Sequence, residues 1–343
     1  MSKSQNSTDT SNRVVDTNAS PSAYGWCFQV GAGITLMLDN VKSFNSLKIE
    51  GASDDIEITT ETGKIYAQAK SVTQIGNRRN ASRSFNDAMR LLKNDSKNAD
   101  AIQLVYITNI ENPLSSKSKS AFQYDRSYEF SILPSDAQSK IKNKGGEEFP
   151  TEKFLLYILS FFGTGNNKFE SVKEKISEFL RDSINDHSYS QSLLNSWFET
   201  FMLNAADKPD IEKKLELSKR DVIVPVIILV INQPINEYEF SNVSDYDNYD
   251  EICQEFRETI NRQIYDYEFF ASVIADYLSK LNRAVDHRNY KYTYVKEEWS
   301  NYEADFSAIS DATVREALIK LLLLTVINNR NKISKIREAT NLC

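Results

Sequence analysis

The sequence predicts an α/β (α+β) fold: a mixed sheet flanked by helices, followed by a mainly α-helical C-terminal region. Three observations lead there. Runs of strand length at 47–50, 55–60 and 65–72, separated by Gly51-Ala-Ser-Asp54 and by a Thr62-Gly63 turn, read as a three-stranded meander. An amphipathic segment, Ala81–Lys93, then leads into Ala101–Thr108, a near-continuous apolar run that suits a central strand buried on both faces. Beyond the Lys-Asn-Lys-Gly-Gly stretch at 142–146 and Pro150, apolar residues recur at helical spacing over 151–162, 168–184 and 189–206, and again over 249–286 and 311–329.

Taken in order, residues 1–22 are rich in Ser, Asn, Thr and Asp without an apolar stretch, which predicts a disordered leader and not a signal peptide. Tyr24–Leu38 predicts a helix that packs closely on a neighbour despite Gly25, Gly31 and Gly33, with Gln29 as its strongly polar interior residue. Tyr128–Leu133 is a further candidate strand. A boundary near 145–150 divides the chain into 23–148, carrying the sheet, and 149–343, mainly helical and suited to oligomerisation or partner binding. Within the latter, the β-branched run Val222–Ile231 with Pro225 reads as a buried or edge strand, and the acidic, Tyr-rich stretch 237–250 as an exposed loop.

Composition narrows the function. At 343 residues, 41% hydrophobic and 11% aromatic, the chain can bury substantial cores. Three cysteines without CxxC spacing and two distant histidines leave no material for a zinc ribbon or a Cys/His nucleophile pair. Cys27, between Trp26 and Phe28, reads as a small packed hydrophobe, and this cysteine usage suits a reducing cytoplasm. No GxxxxGK[ST], GxGxxG or GxSxG occurs, and no apolar run approaches the roughly 20 residues that cross a bilayer. Net charge is −7, yet Lys64–Lys93 contains seven cations against Asp87 alone. Such a local basic patch is compatible with a phosphate backbone.

The chemistry resides in the meander. A hairpin turning at Thr62-Gly63 sets Asp55 opposite Lys70, Glu57 opposite Gln68 and Thr59 opposite Tyr66. One face then carries these polar groups, and the other Ile56, Ile58, Ile65, Ala67 and Ala69. Two carboxylates, an amide oxygen and an ammonium suit metal-assisted phosphodiester hydrolysis. Asp55, with Gln68 and Glu50, would hold Mg²⁺ (or Mn²⁺), and Lys70 would stabilise charge on the phosphate. The same residues also describe an exposed cross-strand ion pair with no catalytic role.

The ordered set Gly25-Trp-Cys-Phe-Gln29, Ile49-Glu50, Asp54-Asp55-Ile56-Glu57-Ile58 and Gln68-Ala69-Lys70 resembles the nuclease domain of CBASS effectors that carry SAVED domains. A related domain occurs in the nuclease subunit of Lamassu-type and other ABC three-component anti-phage systems. The resemblance covers residues 23–135 and implies a restriction-endonuclease-like fold of the PD-(D/E)xK superfamily that cleaves double-stranded DNA with Mg²⁺. It gives Asp55 the place of the family aspartate, Gln68 and Lys70 that of the (E/Q)xK element, Glu50 that of the preceding glutamate and Gln29 that of the glutamine on the first helix, with Glu57 auxiliary. No proline precedes the aspartate, and glutamine stands in place of the commoner glutamate. Arg78, Arg79, Arg83, Arg90 and Lys93 would then contact DNA phosphates. With no SAVED-like ligand domain in the sequence, the Lamassu-like arrangement is the nearer analogue. It implies partner subunits, including an SMC-like or other ATPase, and control by release or homo-oligomerisation. The alternative is a non-catalytic adaptor that binds DNA or protein through the same fold.

Overall fold

Each strand of the sheet is short, and its place follows from what its side chains can bury. The structure, a computed structural model, describes residues 20–49, 55–74, 81–206, 216–262, 267–282 and 287–342. Among these, seven strands form one mixed sheet: β1 (Phe44–Ile49), β2 (Ile56–Thr60), β3 (Lys64–Lys70), β4 (Ala101–Thr108), β5 (Arg126–Glu129), β6 (Phe154–Ile158) and β7 (Glu216–Ser218), in the order β5-β6-β4-β3-β2-β1-β7. β3, β4 and β6 run parallel, and the outer pairings are antiparallel. The helices are α1 (Ser20–Asp39), α2 (Ala81–Asp95), α3 (Ser135–Gly145), α4 (Glu170–Ile184), α5 (Ser190–Ala206), α6 (Lys219–Ile231), α7 (Glu237–Phe240), α8 (Tyr249–Arg262), α9 (Tyr267–Leu281), α10 (Tyr290–Glu298) and α11 (Ala312–Thr340).

Alternation along β2 and β3 assigns the two sheet faces. Ile56, Ile58, Ile65, Ala67 and Ala69 join Phe28, Val30 and Ile34 of α1 in a core that continues through α4, α6 and α11. Tyr66 and Gln68 look the other way, where Phe85, Met89 and Leu92 of α2 and Ile141 of α3 cover the sheet. The polar face is therefore roofed over much of its length by α2 and α3. α1 sits close because Gly33 has no side chain: a Cβ there would lie 2.6 Å from Ile49 Cδ1. Residues 1–19 of the expected leader lie outside the described residues, whereas Ser20–Ser22 belong to α1.

Three sequence expectations are corrected. The run 151–162 holds strand β6, not a helix, because Leu156 and Ile158 pack on one face of the sheet and Tyr157 and Leu159 on the other. An unbroken apolar run of this length suits either element. Val222–Ile231 is helical, not a strand. Ser218 opens α6 with a reciprocal capping box with Asp221, and the apolar residues that follow are buried on nearly every side, Pro225 notwithstanding. Finally, residues 237–250 are not simply loop: α7 opens them, capped by Asn236, with Phe240 and Val243 buried. The division at 148 does not set the sheet apart from the helical region, since β6 and β7 lie beyond it and the larger core runs from Phe28 to Leu342.

Candidate active site

Site geometry begins with a turn. Thr60 N–H donates to Gly63 O at 2.8 Å, so the loop residues are Glu61 and Thr62, one position earlier than the sequence suggests. Gly63 serves another purpose. Its φ is +153°, and a Cβ would fall 2.5 Å from Asp100 O, which accepts the Lys64 N–H where β3 meets the start of β4. The β2–β3 register consequently shifts by two: Glu57 opposes Tyr66 and Thr59 opposes Lys64, while Ile56 opposes Ala67. This corrects the expected pairings of Asp55 with Lys70, Glu57 with Gln68 and Thr59 with Tyr66. A two-residue shift keeps every side chain on its face, so the polar set stays together.

One pair beyond Ile56 and Ala67, Asp55 lies across from Gln68 and reaches Lys70 on the diagonal. Its Oδ2 accepts the Lys70 ammonium at 2.7 Å and the Ala69 backbone N–H at 2.8 Å. Both side chains remain reachable, at 19% and 26% exposure. Gln68 beside them is fully buried. Glu57 is drawn elsewhere: it pairs with Lys64 at 3.1 Å and Lys48 at 3.7 Å, in a ladder that extends to Glu216 and Asp100. Hydrogen bonding to Glu57 raises the Lys64 pKa.

The sequence reading missed the residue that frames this site. Asn109, fully buried just past the end of β4, accepts from Val72 N at 2.8 Å and donates to Val72 O at 2.7 Å and Phe161 O at 3.0 Å. Tyr24 of α1 also donates to Phe161 O, and burial pushes its hydroxyl up to about 12. Thr108 Oγ1 donates to Lys70 O at 2.5 Å. These bonds fix the carboxyl ends of β3, β4 and β6 relative to one another, and open α/β sheets place ligands outside such strand ends. A lone Asn immediately after an apolar strand run was the available signal.

The remaining expected site residues divide. Gln29 lies on α1 with its Oε1 buried and no hydrogen-bond partner among the described residues. Glu50, Arg78 and Arg79 lie outside the described residues. Parallel pairing of β3 and β4 makes α2 run back along the sheet, so Arg83 in its first turns is at the Lys70 end, where it pairs with Asp87 at 3.8 Å. Arg90 and Lys93 lie about 10 and 15 Å farther along the helix.

For a divalent cation the fit rests on Asp55. Both of its hydrogen bonds end on Oδ2, which leaves Oδ1 as a hard oxygen donor with the Gln68 amide across the strand. No group of three or more His, Cys, Asp or Glu side chains placed to hold a metal occurs among the described residues. Comparison with family models, curated proteins and solved structures gave no match, so the site stands on this chain's own residues. Among the described residues, no helix is long and apolar enough to cross a membrane.

Proposed function

We propose that the chain is a Mg²⁺-dependent (or Mn²⁺-dependent) endonuclease of the PD-(D/E)xK type that hydrolyses double-stranded DNA. The observation that carries this reading is the contact of a reachable carboxylate and ammonium, Asp55 and Lys70, at the carboxyl end of β3. Asp55 Oδ1 would hold the ion, with Gln68 and Glu50 as further oxygen donors. When bound, the ion lowers the pKa of a water and offsets charge on the phosphate. Lys70, oriented by Asp55 Oδ2 and by the anchored backbone at Thr108, places its ammonium against the phosphoryl oxygens as negative charge builds there.

By resemblance the protein is the effector of a bacterial anti-phage system of the Lamassu type. It would be restrained by partner subunits, including an SMC-like or other ATPase, and act on release or self-association. The direct ion pair also favours a second reading, since a strand-end clamp in a non-catalytic adaptor would have the same geometry. Plasmid cleavage with Mg²⁺ separates the two. Wild type cleaves, and Asp55→Asn and Lys70→Ala lose at least about 100-fold, the scale of losing a transition-state electrostatic contact. Equal nicking by all three, or none by wild type under conditions that assemble the oligomer, assigns the adaptor.

A further inference from the structure

A second cluster of positive charge stands at the opposite end of α2 from Lys70. Arg90 and Lys93 are exposed on the last turns of α2, and Lys97 follows directly. Lys142 and Lys144 are exposed in the last turn of α3, which packs beside α2. The two groups meet at Gly146, where a Cβ would lie 3.2 Å from Lys93 Nζ. None of the five cations makes an ion pair with a described residue, in contrast to Lys48, Lys64 and Lys70 in the sheet. Glu147 and Glu148, next in the chain, are exposed yet pair with none of them. On a chain of net charge −7, these five cations gather at one place beside three carboxylates, the buried Asp95 and the exposed Glu147 and Glu148, which leaves a local excess of positive charge.

We propose that Arg90, Lys93, Lys97, Lys142 and Lys144 form a second phosphate-backbone contact, so that duplex DNA lies along α2 from the Asp55–Lys70 site to the junction of α2 and α3. The choice of duplex DNA rests on the nuclease reading. The span is right for it. Six residues of β3 separate the two sheet ends by about 20 Å, roughly six base pairs at 3.4 Å each. Arg83, at the Lys70 end of α2, and Arg90, of the second contact, stand seven residues apart, two helical turns on the same stripe of the helix. The contact reads no base; it sets the axis of the duplex and the length bound to one side of the cut.

The test is binding of a fluorescent 20-base-pair duplex in EDTA, so that cleavage plays no part. Lys142→Glu/Lys144→Glu is compared with Lys296→Glu/Lys335→Glu, an equal charge change at exposed positions on α10 and α11. The α3 pair should weaken binding about 10-fold or more and lower the slope of log K against log salt by about 2, since each lost phosphate contact removes about 0.9. The control pair should leave the slope unchanged. Equal effects of the two pairs, or no duplex binding by wild type, overturn the proposal. Plasmid cleavage by wild type together with an unchanged slope in the α3 pair rejects this contact and leaves the nuclease reading intact. Loss of binding in the α3 pair without wild-type cleavage does the reverse.

Discussion

Two carboxylate–ammonium contacts stand on the same ribbon and the same sheet face, two residues apart, yet they differ in what surrounds them. Glu57 is bracketed by Lys48 and Lys64, whose charges are shared onward with Glu216 and Asp100. Asp55 has one ammonium and one backbone N–H on Oδ2, at the end of β3 where Asn109 ties three strands together. The chemistry of the pair is common to both. Each carboxylate keeps one oxygen outside these contacts, Oδ1 of Asp55 and Oε2 of Glu57, so what belongs to Asp55 alone is its position at the carboxyl end of the parallel strands.

Activity should separate the two most widely. Asp55→Asn should remove Mg²⁺-dependent cleavage by at least about 100-fold, because it weakens the proposed ion ligand and releases Lys70 together. A variant with full cleavage would erase the distinction between the contacts.

The framework beneath Asp55 comes next. Asn109→Ala leaves the N–H and C=O of half-buried Val72 and one contact of buried Phe161 O without their partner. At about 1 kcal/mol net for each hydrogen bond, the loss in unfolding free energy should be about 3 kcal/mol by denaturant titration. A loss under about 1 kcal/mol would mean that the strand ends hold without it.

Gly63→Ala tests the turn that sets the register, and should cost about 2 kcal/mol through strain at φ +153° and the 2.5 Å approach to Asp100 O. A neutral substitution would show that the hairpin does not depend on this glycine.

What the sequence made legible follows from the same physics. Strict alternation in 55–60 and 65–70 was readable, as were the helical stripe of α2 and the two-sided apolar run of β4, so the side chains were assigned to the right faces. The register was not, because Thr62-Gly63 resembles a hairpin turn while the glycine answers to Asp100, a residue 37 positions away. β6 and α6 were misread because an apolar run buried on all sides has no period to report. For α6 the Ser218-x-x-Asp221 capping box was the local evidence that outweighs β-branched propensity. Asn109 makes its bonds to residues 37 and 52 positions distant, contacts that no short-range pattern encodes.

The smallest effect sharpens the comparison from the other side. Glu57→Gln keeps the shape of the side chain and one acceptor oxygen but removes the charge between Lys48 and Lys64. Those lysines retain Glu216 at 3.2 Å and Asp100 at 3.5 Å, and ion pairs of partly exposed side chains contribute little, so stability should fall by under about 1 kcal/mol. Cleavage should stay within about twofold of wild type, since the ladder does not touch Asp55 or Lys70. Should Glu57→Gln instead depress cleavage as far as Asp55→Asn does, with its melting temperature unchanged, the ladder would belong to the reacting site, and the strand-end position would no longer be what distinguishes one carboxylate from the other.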